Sequence, residues 1–184
     1  YDYKKPKKLE KIDELFLNKL QVRINEATKF FDKYEYSRVR QIAEEFFWKD
    51  FCDNYLEIVK KRIYGEEGKG KKSAQYTLHK SLLDIIKMIA PLMPFVSEEI
   101  YQTHFKKDGD AKSIHLSDWP KEGEVNNFEE LESFYEVLGR IRGEKSNAKK
   151  SMRCEIKVSL DKETHKKLEG MIDVKHKRCK SSWC

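Results

Sequence analysis

The sequence predicts a mainly α-helical protein, a bundle of four to five helices with a small α/β appendage at its C-terminal end. Three observations carry that expectation. Apolar residues recur in steps of three and four along several long stretches. Pro91 and the glycine cluster at Gly65, Gly68 and Gly70 fall between those stretches. Only one short segment, Cys154 to Leu160, alternates apolar and polar residues as a strand does. The expected division places the bundle in residues 1–112, and a connecting strand, a fifth helix, the appendage and an irregular tail in 113–184.

The first helix is predicted over about residues 8–33, from the stripe Leu9, Ile12, Phe16, Leu20, Ile24, Ala27 and Phe31. A Tyr-Glu-Tyr-Ser turn follows, with Ser37 as a plausible cap for a second helix reaching Ile63. The apolar positions of that helix include Val39, Ile42, Phe46, Phe51, Tyr55 and Val59, so two long antiparallel helices result. Residues 65–72, "GEEGKGKK", combine three glycines with five charges and read as a mobile basic loop. A third helix is expected from Ser73 to Ala90, where Pro91 disfavours helical geometry in the residue before it. A fourth restarts near Pro94, with Glu98 and Glu99 complementing its positive end. The chain is then turn-like and briefly extended around Ile114 to Leu116, with Trp119-Pro120 able to plug against the bundle. A fifth helix over about 127–147, the strand at 154–160, a short helix over 162–172 and an aperiodic tail complete the reading.

Composition bounds the function. A chain of 184 residues with 39% hydrophobic residues, ten Phe and nine Tyr can bury a core. No apolar run approaches the roughly 20 residues that span a bilayer, so no membrane partner is expected. There is no basic-then-apolar leader, and the expectation is a cytoplasmic protein; Tyr1 in place of Met suggests a piece of a longer one. The four cysteines form no CxxC pair, which points to reduced thiols, with Cys52 a small buried hydrophobe.

Catalytic chemistry finds no support. The glycine cluster lacks the flanking strand of a phosphate cradle. The five histidines fall on separate elements without paired spacing, and the adjacent Glu98 and Glu99 point to different faces. We therefore expect no catalytic, cofactor-binding or metal-binding residue in this segment.

Recognition remains. Lys4, Lys5, Lys7 and Lys8 form one basic cluster; residues 60–72 hold six cations against two carboxylates, and 140–157 hold seven against two. Such clusters suit a polyanion, and aromatic faces beside cations can grip an unpaired RNA loop. The bland alternative is a solvated face, as on a helical protein-interaction module. The candidate RNA-contacting residues are Arg38, Arg40, Lys60, Lys61, Arg62, Lys69, Lys71 and Lys72 on the bundle. Arg140, Arg142, Lys145 and Lys149 join them at the exit of the fifth helix. Phe46, Phe47, Phe51 and Leu56 are expected to anchor the second helix while Lys60 and Arg62 emerge from it.

The residues also resemble a family. "FFWKDFCDNYLEIVKKR", Phe46 to Arg62, is similar to the aromatic, Cys-Asp, Tyr-Leu-Glu helix in the anticodon-binding region of class I aminoacyl-tRNA synthetases of the valyl group. "KIDELFLNKL" resembles the first helix of that region, and "IAPLMPFVSEEIYQ" its third-to-fourth helix junction. "SIHLSDWP" resembles the connection that follows, and "RIRGEKSNAKKSM" the basic helix exit of archaeal-type members. Order and spacing match over about residues 2–160, whereas "HKRCKSSWC" matches nothing in the family. "PLMPFVSEEI" marks the wider superfamily only; Cys52-Asp53 with Tyr55-Leu56-Glu57 favours the valyl group over isoleucyl or leucyl relatives.

The resemblance implies an anticodon-binding helical bundle of a class I synthetase. It implies tRNA, specifically tRNA(Val), and the catalytic domain of a parent chain as partners. It also implies a parent ligase that charges tRNA with valine using ATP and Mg, whose His-Ile-Gly-His and Lys-Met-Ser-Lys-Ser signatures are absent from this sequence.

Overall fold

The computed structural model describes residues 4–107 and 110–149. The chain divides into two compact units, Tyr1–Phe128 and Glu129–Cys184. The connection at 113–128, expected to open the second domain, thus belongs to the first unit. The described residues are helical, with no strand among them. The strand expected at 154–160, the short helix at 162–172 and the tail lie outside the described residues.

Helix α1 spans Lys11–Asp32, with Asp13 and Glu14 in its first turn and Lys29 in its last, both favourable to the helix dipole. It buries Ile12, Phe16, Leu20, Ile24 and Ala27 of the predicted stripe, with Leu15 beside them, whereas Leu9 precedes the helix and Phe31 is half-buried. The Glu35 N–H donates to the Phe30 carbonyl and the Tyr34 N–H to the Phe31 carbonyl, the paired bonds that close a helix through a left-handed residue. Tyr34 occupies that position at φ 62°, where glycine is usual.

Helix α2 (Tyr36–Glu45), a π-helical segment (Phe46–Leu56) and helix α3 (Glu57–Tyr64) follow without a break. The cap of α2 is Glu35 and not Ser37, which lies in the first turn. The π segment buries Phe46, Asp50, Phe51 and Tyr55. Two of them face α1 together, where Asp50 meets buried Lys19 at 2.5 Å and Phe51 lies 6.3 Å from Phe16. Phe16 also packs on Phe46 at 5.3 Å and stacks on Tyr55 at 4.0 Å and 9°. Leu56, expected as an anchor, is 40% exposed. The π register hands its place to Tyr55. Phe47 and Cys52 are half-buried, and burial, then Asp53, pushes the Cys52 thiol up.

Helix α4 is Lys69–Ile89, so the expected loop at 65–72 shrinks to residues 65–68. Lys69-Gly-Lys-Lys has no apolar residue to favour a helix. What fixes it lies elsewhere in the fold: an Arg62 Nη1 bond to the Gly70 carbonyl at 3.4 Å, and Ser73 Oγ donating to Asp13 at 2.5 Å. Helix α5 (Pro94–Ile100) starts on Pro94 as expected and runs into a second π segment, Tyr101–Phe105.

Ile114–Leu116 is a 3-10 turn and not the expected extended segment. Ser113 Oγ and the Ile114 N–H both donate to the Glu98 carboxylate, at 2.8 and 3.0 Å, which curls the backbone. Ile114 then inserts singly among Ile86, Ala90, Tyr101 and Phe105. Hydrogen bonds from Gln102 first, then from Ser113, hold the Glu98 carboxyl below its ordinary range despite burial. Trp119 does plug the bundle, its Nε1 donating to Thr28 Oγ1 at 2.9 Å, and Pro120 is buried.

In the second unit, α6 (Glu129–Asn147) carries Glu129, Glu130 and Glu132 in its first turn and Lys145 in its last. Leu131, Phe134 and Val137 are its buried side chains.

Candidate nucleic-acid interface

The α1–α2 turn and the α4–α5 turn close the same end of the bundle, here called the head. Two clefts open there, one on each side of the 90–93 turn. The first, about 340 Å³, is lined by Tyr36, Ser37, Arg40 and Leu92. The second, about 250 Å³, has Phe31 and Trp119 as aromatic walls and Lys87, His115 and Asp118 among its polar ones.

A chain of rings connects the clefts. Tyr34 and Tyr36 are 6.3 Å apart at 89°, Tyr36 and Phe31 5.3 Å at 64°, and Phe31 and Trp119 4.8 Å at 34°. Two aromatics at this end reach far into solvent, Tyr34 at the end of the row at 78% and Phe95, in the first turn of α5, at 91% exposed. Three exposed large rings, Tyr34, Tyr36 and Phe95, share this end, as on a surface that meets a partner. Tyr34 adds a second sign, because a bulky residue in the left-handed region costs about 1–3 kcal/mol and such strain gathers at functional positions.

Cations border the same end. Arg38 and Arg40 are exposed, and Arg40 pairs with Glu44 of its own helix at 3.5 Å, a solvent-screened pair of little strength. Lys87 Nζ donates to the Asp118 carbonyl at 3.1 Å, which fixes its ammonium beside the second cleft. The His115 ring nitrogen Nε2 lies 3.3 Å from the Pro94 carbonyl.

The other cations of the first unit that were expected to contact RNA do not gather at the head. Lys60, Lys61, Lys69, Lys71 and Lys72 lie at the opposite end, the foot, where α3 ends and α4 begins. Lys60 pairs with Glu57 at 3.0 Å, and Lys71 is turned onto Glu67 at 2.9 Å and the Gly65 carbonyl at 3.3 Å. Arg140 and Lys149 are exposed, and Arg142 and Lys145 half-buried, in the second unit.

Arg62 is a correction to the sequence reading. Its guanidinium faces inward and grips Asp13 with two bonds, Nη2 to Oδ1 at 2.6 Å and Nη1 to Oδ2 at 2.9 Å. The same carboxylate accepts from Tyr55 OH at 2.7 Å and from Ser73 Oγ. One fully buried carboxylate therefore ties together α1, the first π segment, α3 and α4. Burial alone would lower the Arg62 pKa, but the hydrogen bond and charge of Asp13 outweigh it and raise the value. Burial first, then the Asp13 charge and hydrogen bond, push the Tyr55 phenol well above its usual range. Arg62 holds the fold through these bonds.

The residues missed by sequence reasoning are the head aromatics Tyr34, Tyr36, Phe31, Phe95 and Trp119. A signal existed: Tyr34 and Tyr36 flank a turn, and Phe95 follows the Pro91 to Pro94 breakers, all places where a ring has no helix stripe to join. Among the described residues, no grouping of three or more His, Cys, Asp or Glu is placed to hold a metal ion, and no helix is long and apolar enough to cross a membrane.

Comparison with known proteins bears on this geometry. A family model described as the anticodon-binding domain of tRNA ligase matches residues 13–165. The chain is 43% identical over 164 residues to the valine--tRNA ligase of Ehrlichia ruminantium strain Gardel, covering 85% of this chain and 20% of that protein. It is 32% identical over 155 residues to the valine--tRNA ligase of Thermococcus kodakarensis, covering 84% and 18%. For that of Pyrococcus abyssi the figures are 30% over 177 residues, covering 95% and 20%. The chain spans about a fifth of the length of the curated relatives it matches.

Proposed function

We propose, for a chain that belongs to the anticodon-binding domain family of tRNA ligases, that the head of its bundle receives the unstacked bases of a tRNA anticodon loop. One observation carries the assignment to the head: a connected row of rings between two clefts, with Phe95 standing free and Arg40 at the edge. Unpaired bases expose flat π-faces, and stacking on an aromatic ring contributes about 1–3 kcal/mol per base. Arg40 and Lys87 supply charge for the phosphates that flank the bases, or donors for their edges. Sequence selectivity then comes from the cleft walls, and affinity largely from phosphate neutralisation, with a steep salt dependence.

The finer reading is that the RNA is tRNA(Val) and that the chain is the anticodon-binding portion of a cytoplasmic valine--tRNA ligase. The valine ligases among the relatives support it. In that reading the catalytic domain, with its ATP and Mg, belongs to the remaining four-fifths of the parent chain, and the present segment orients the RNA toward it.

The test is a titration of tRNA(Val) and tRNA(Ile) against the chain and its variants at two salt concentrations. Phe95→Ala and Arg40→Gln are expected to weaken tRNA(Val) about tenfold each. Trp48→Ala serves as control: that ring is 62% exposed but sits on the π segment, about 18 Å along the rod from Tyr36. Equal affinity of the Phe95→Ala and parent proteins for tRNA(Val) would sink the head as the base-reading site. Equal affinity of the parent chain for both tRNAs would remove the valine assignment alone.

A further inference from the structure

The head leaves unexplained the lysines of the foot. Three separate stretches of sequence bring cations there. Lys61 ends α3, and Lys69 and Lys72 open α4, all exposed. The basic N-terminal segment joins them, because the Glu10 N–H donates to Ser73 Oγ at 2.9 Å and holds residues 4–10, with exposed Lys7 and Lys8, beside the start of α4. Tyr64, 82% exposed, stands among them. Acids are present but partly spent: Glu57 faces Lys60, and Glu67 faces Lys71.

Distance decides what this patch can do. Helix α4 runs from foot to head in 21 residues, which at 1.5 Å per residue separates the two ends by about 30 Å. The Debye length at physiological salt is about 8 Å. A lysine at the foot therefore contributes nothing to a loop held at the head, either by contact or through its field. It acts only on something that reaches it.

Resting on the reading that the anticodon loop sits at the head, we infer that the foot is a second, sequence-independent contact. It grips the phosphate backbone of the folded tRNA beyond the anticodon hairpin. A stem leaving the head can lie along the rod toward the foot. At the shorter rise of an A-form RNA duplex, roughly 2.8 Å per pair, about eleven stacked pairs are needed to cover that length, more than one short hairpin stem supplies. The foot meets the helix stacked on that stem. Duplex RNA offers proteins mainly its backbone and 2′-hydroxyls, and flexible lysines match that target, whereas the rigid, ring-framed head does not. The arrangement is a two-point grip: bases at one end, phosphates at the other.

The experiment compares two RNAs, the complete tRNA(Val) transcript and its isolated anticodon hairpin, against the full chain and the triple variant Lys61→Gln/Lys69→Gln/Lys72→Gln. The three side chains are exposed, and a thermal melt checks that the fold is unchanged. The expected result is about tenfold weaker binding of the complete tRNA, with the slope of log K against log salt reduced by about 2, and hairpin affinity unaltered within about twofold. Equal weakening of both RNAs overturns the proposal, because the foot then touches the hairpin itself. No weakening of either also overturns it and leaves the patch to solvent or to an acidic protein surface. Phe95→Ala, run beside it, separates the premises: if that variant binds both RNAs as the parent does, the head reading has failed instead.

Discussion

The foot and the head of the bundle hold the same kinds of side chain and use them in opposite ways. At the foot Arg62, Tyr55 and Ser73 all turn inward onto Asp13, so these three donors are satisfied within the protein while lysines beside them stay exposed. At the head the arginine and tyrosines face outward, and the row of rings ends in solvent. The contrast separates residues that hold the fold from residues left open for a partner. A cationic residue type does not decide between the two roles; a buried carboxylate within reach does.

The comparison breaks first at Asp13. Removing one partner of a buried ion pair leaves an uncompensated charge and costs about 3–5 kcal/mol, so Asp13→Ala is expected to lower unfolding stability by that amount in urea denaturation. The double variant Asp13→Leu/Arg62→Met is expected to recover most of the loss, since no lone charge remains. If Asp13→Ala costs under about 1 kcal/mol, the foot network is no structural tie and Arg62 returns to the pool of RNA contacts.

Tyr34 sharpens the other side of the comparison. Its left-handed conformation is one that glycine adopts freely, so Tyr34→Gly is expected to stabilise the protein by about 1 kcal/mol in the same denaturation. The same change removes an exposed ring from the head and is expected to weaken tRNA binding severalfold. Opposite signs in the two measurements identify a residue kept for recognition at the expense of the fold. A loss in stability with unchanged binding would reassign Tyr34 to the foot's class of residue.

How far the sequence foretold this division follows from particular positions. Helices α1 and α6 were legible because their buried residues keep a regular apolar step, and Pro91 and Pro94 punctuate as proline must, whereas the face that α4 buries is mostly Ser73, Ala74, Thr77, Ser81 and Asp84, which no apolar stripe marks. The π segment was not, because its buried Phe46, Phe51 and Tyr55 step by five and four, close enough to a helical stripe to be read as one. The inward turn of Arg62 was hidden for another reason. Its partner lies 49 residues away, and the one hint was a carboxylate, Asp13, set directly beside the apolar stripe of α1. Tyr34, Tyr36, Phe95 and Trp119 escaped because each occupies a turn or a first helical turn, where periodicity is silent, and Phe31 was read as one more position of the α1 stripe; only three-dimensional convergence reveals their common surface.

The smallest expected effect concerns His79, on α4 between the two ends. Its ring packs 4.9 Å from Phe105, and burial first, then the charge of Lys107, lowers its pKa below the ordinary histidine value. The folded protein therefore keeps this imidazole neutral at a pH where the unfolded chain already binds a proton. Its contribution to stability is complete above the unfolded pKa of about 6.5 and is lost as pH falls from there toward the lower folded value. The urea midpoint is expected to drop between about pH 7 and pH 5.5, and His79→Gln should flatten that part of the profile. The drop should be modest, since solvent reaches part of the ring and screens it. tRNA affinity, measured across the same interval at constant salt, should change equally in the His79→Gln variant and the parent, because His79 belongs to neither end. A binding profile that tracks His79 instead would mean that the middle of α4 couples head to foot, and the two ends could no longer be treated as independent.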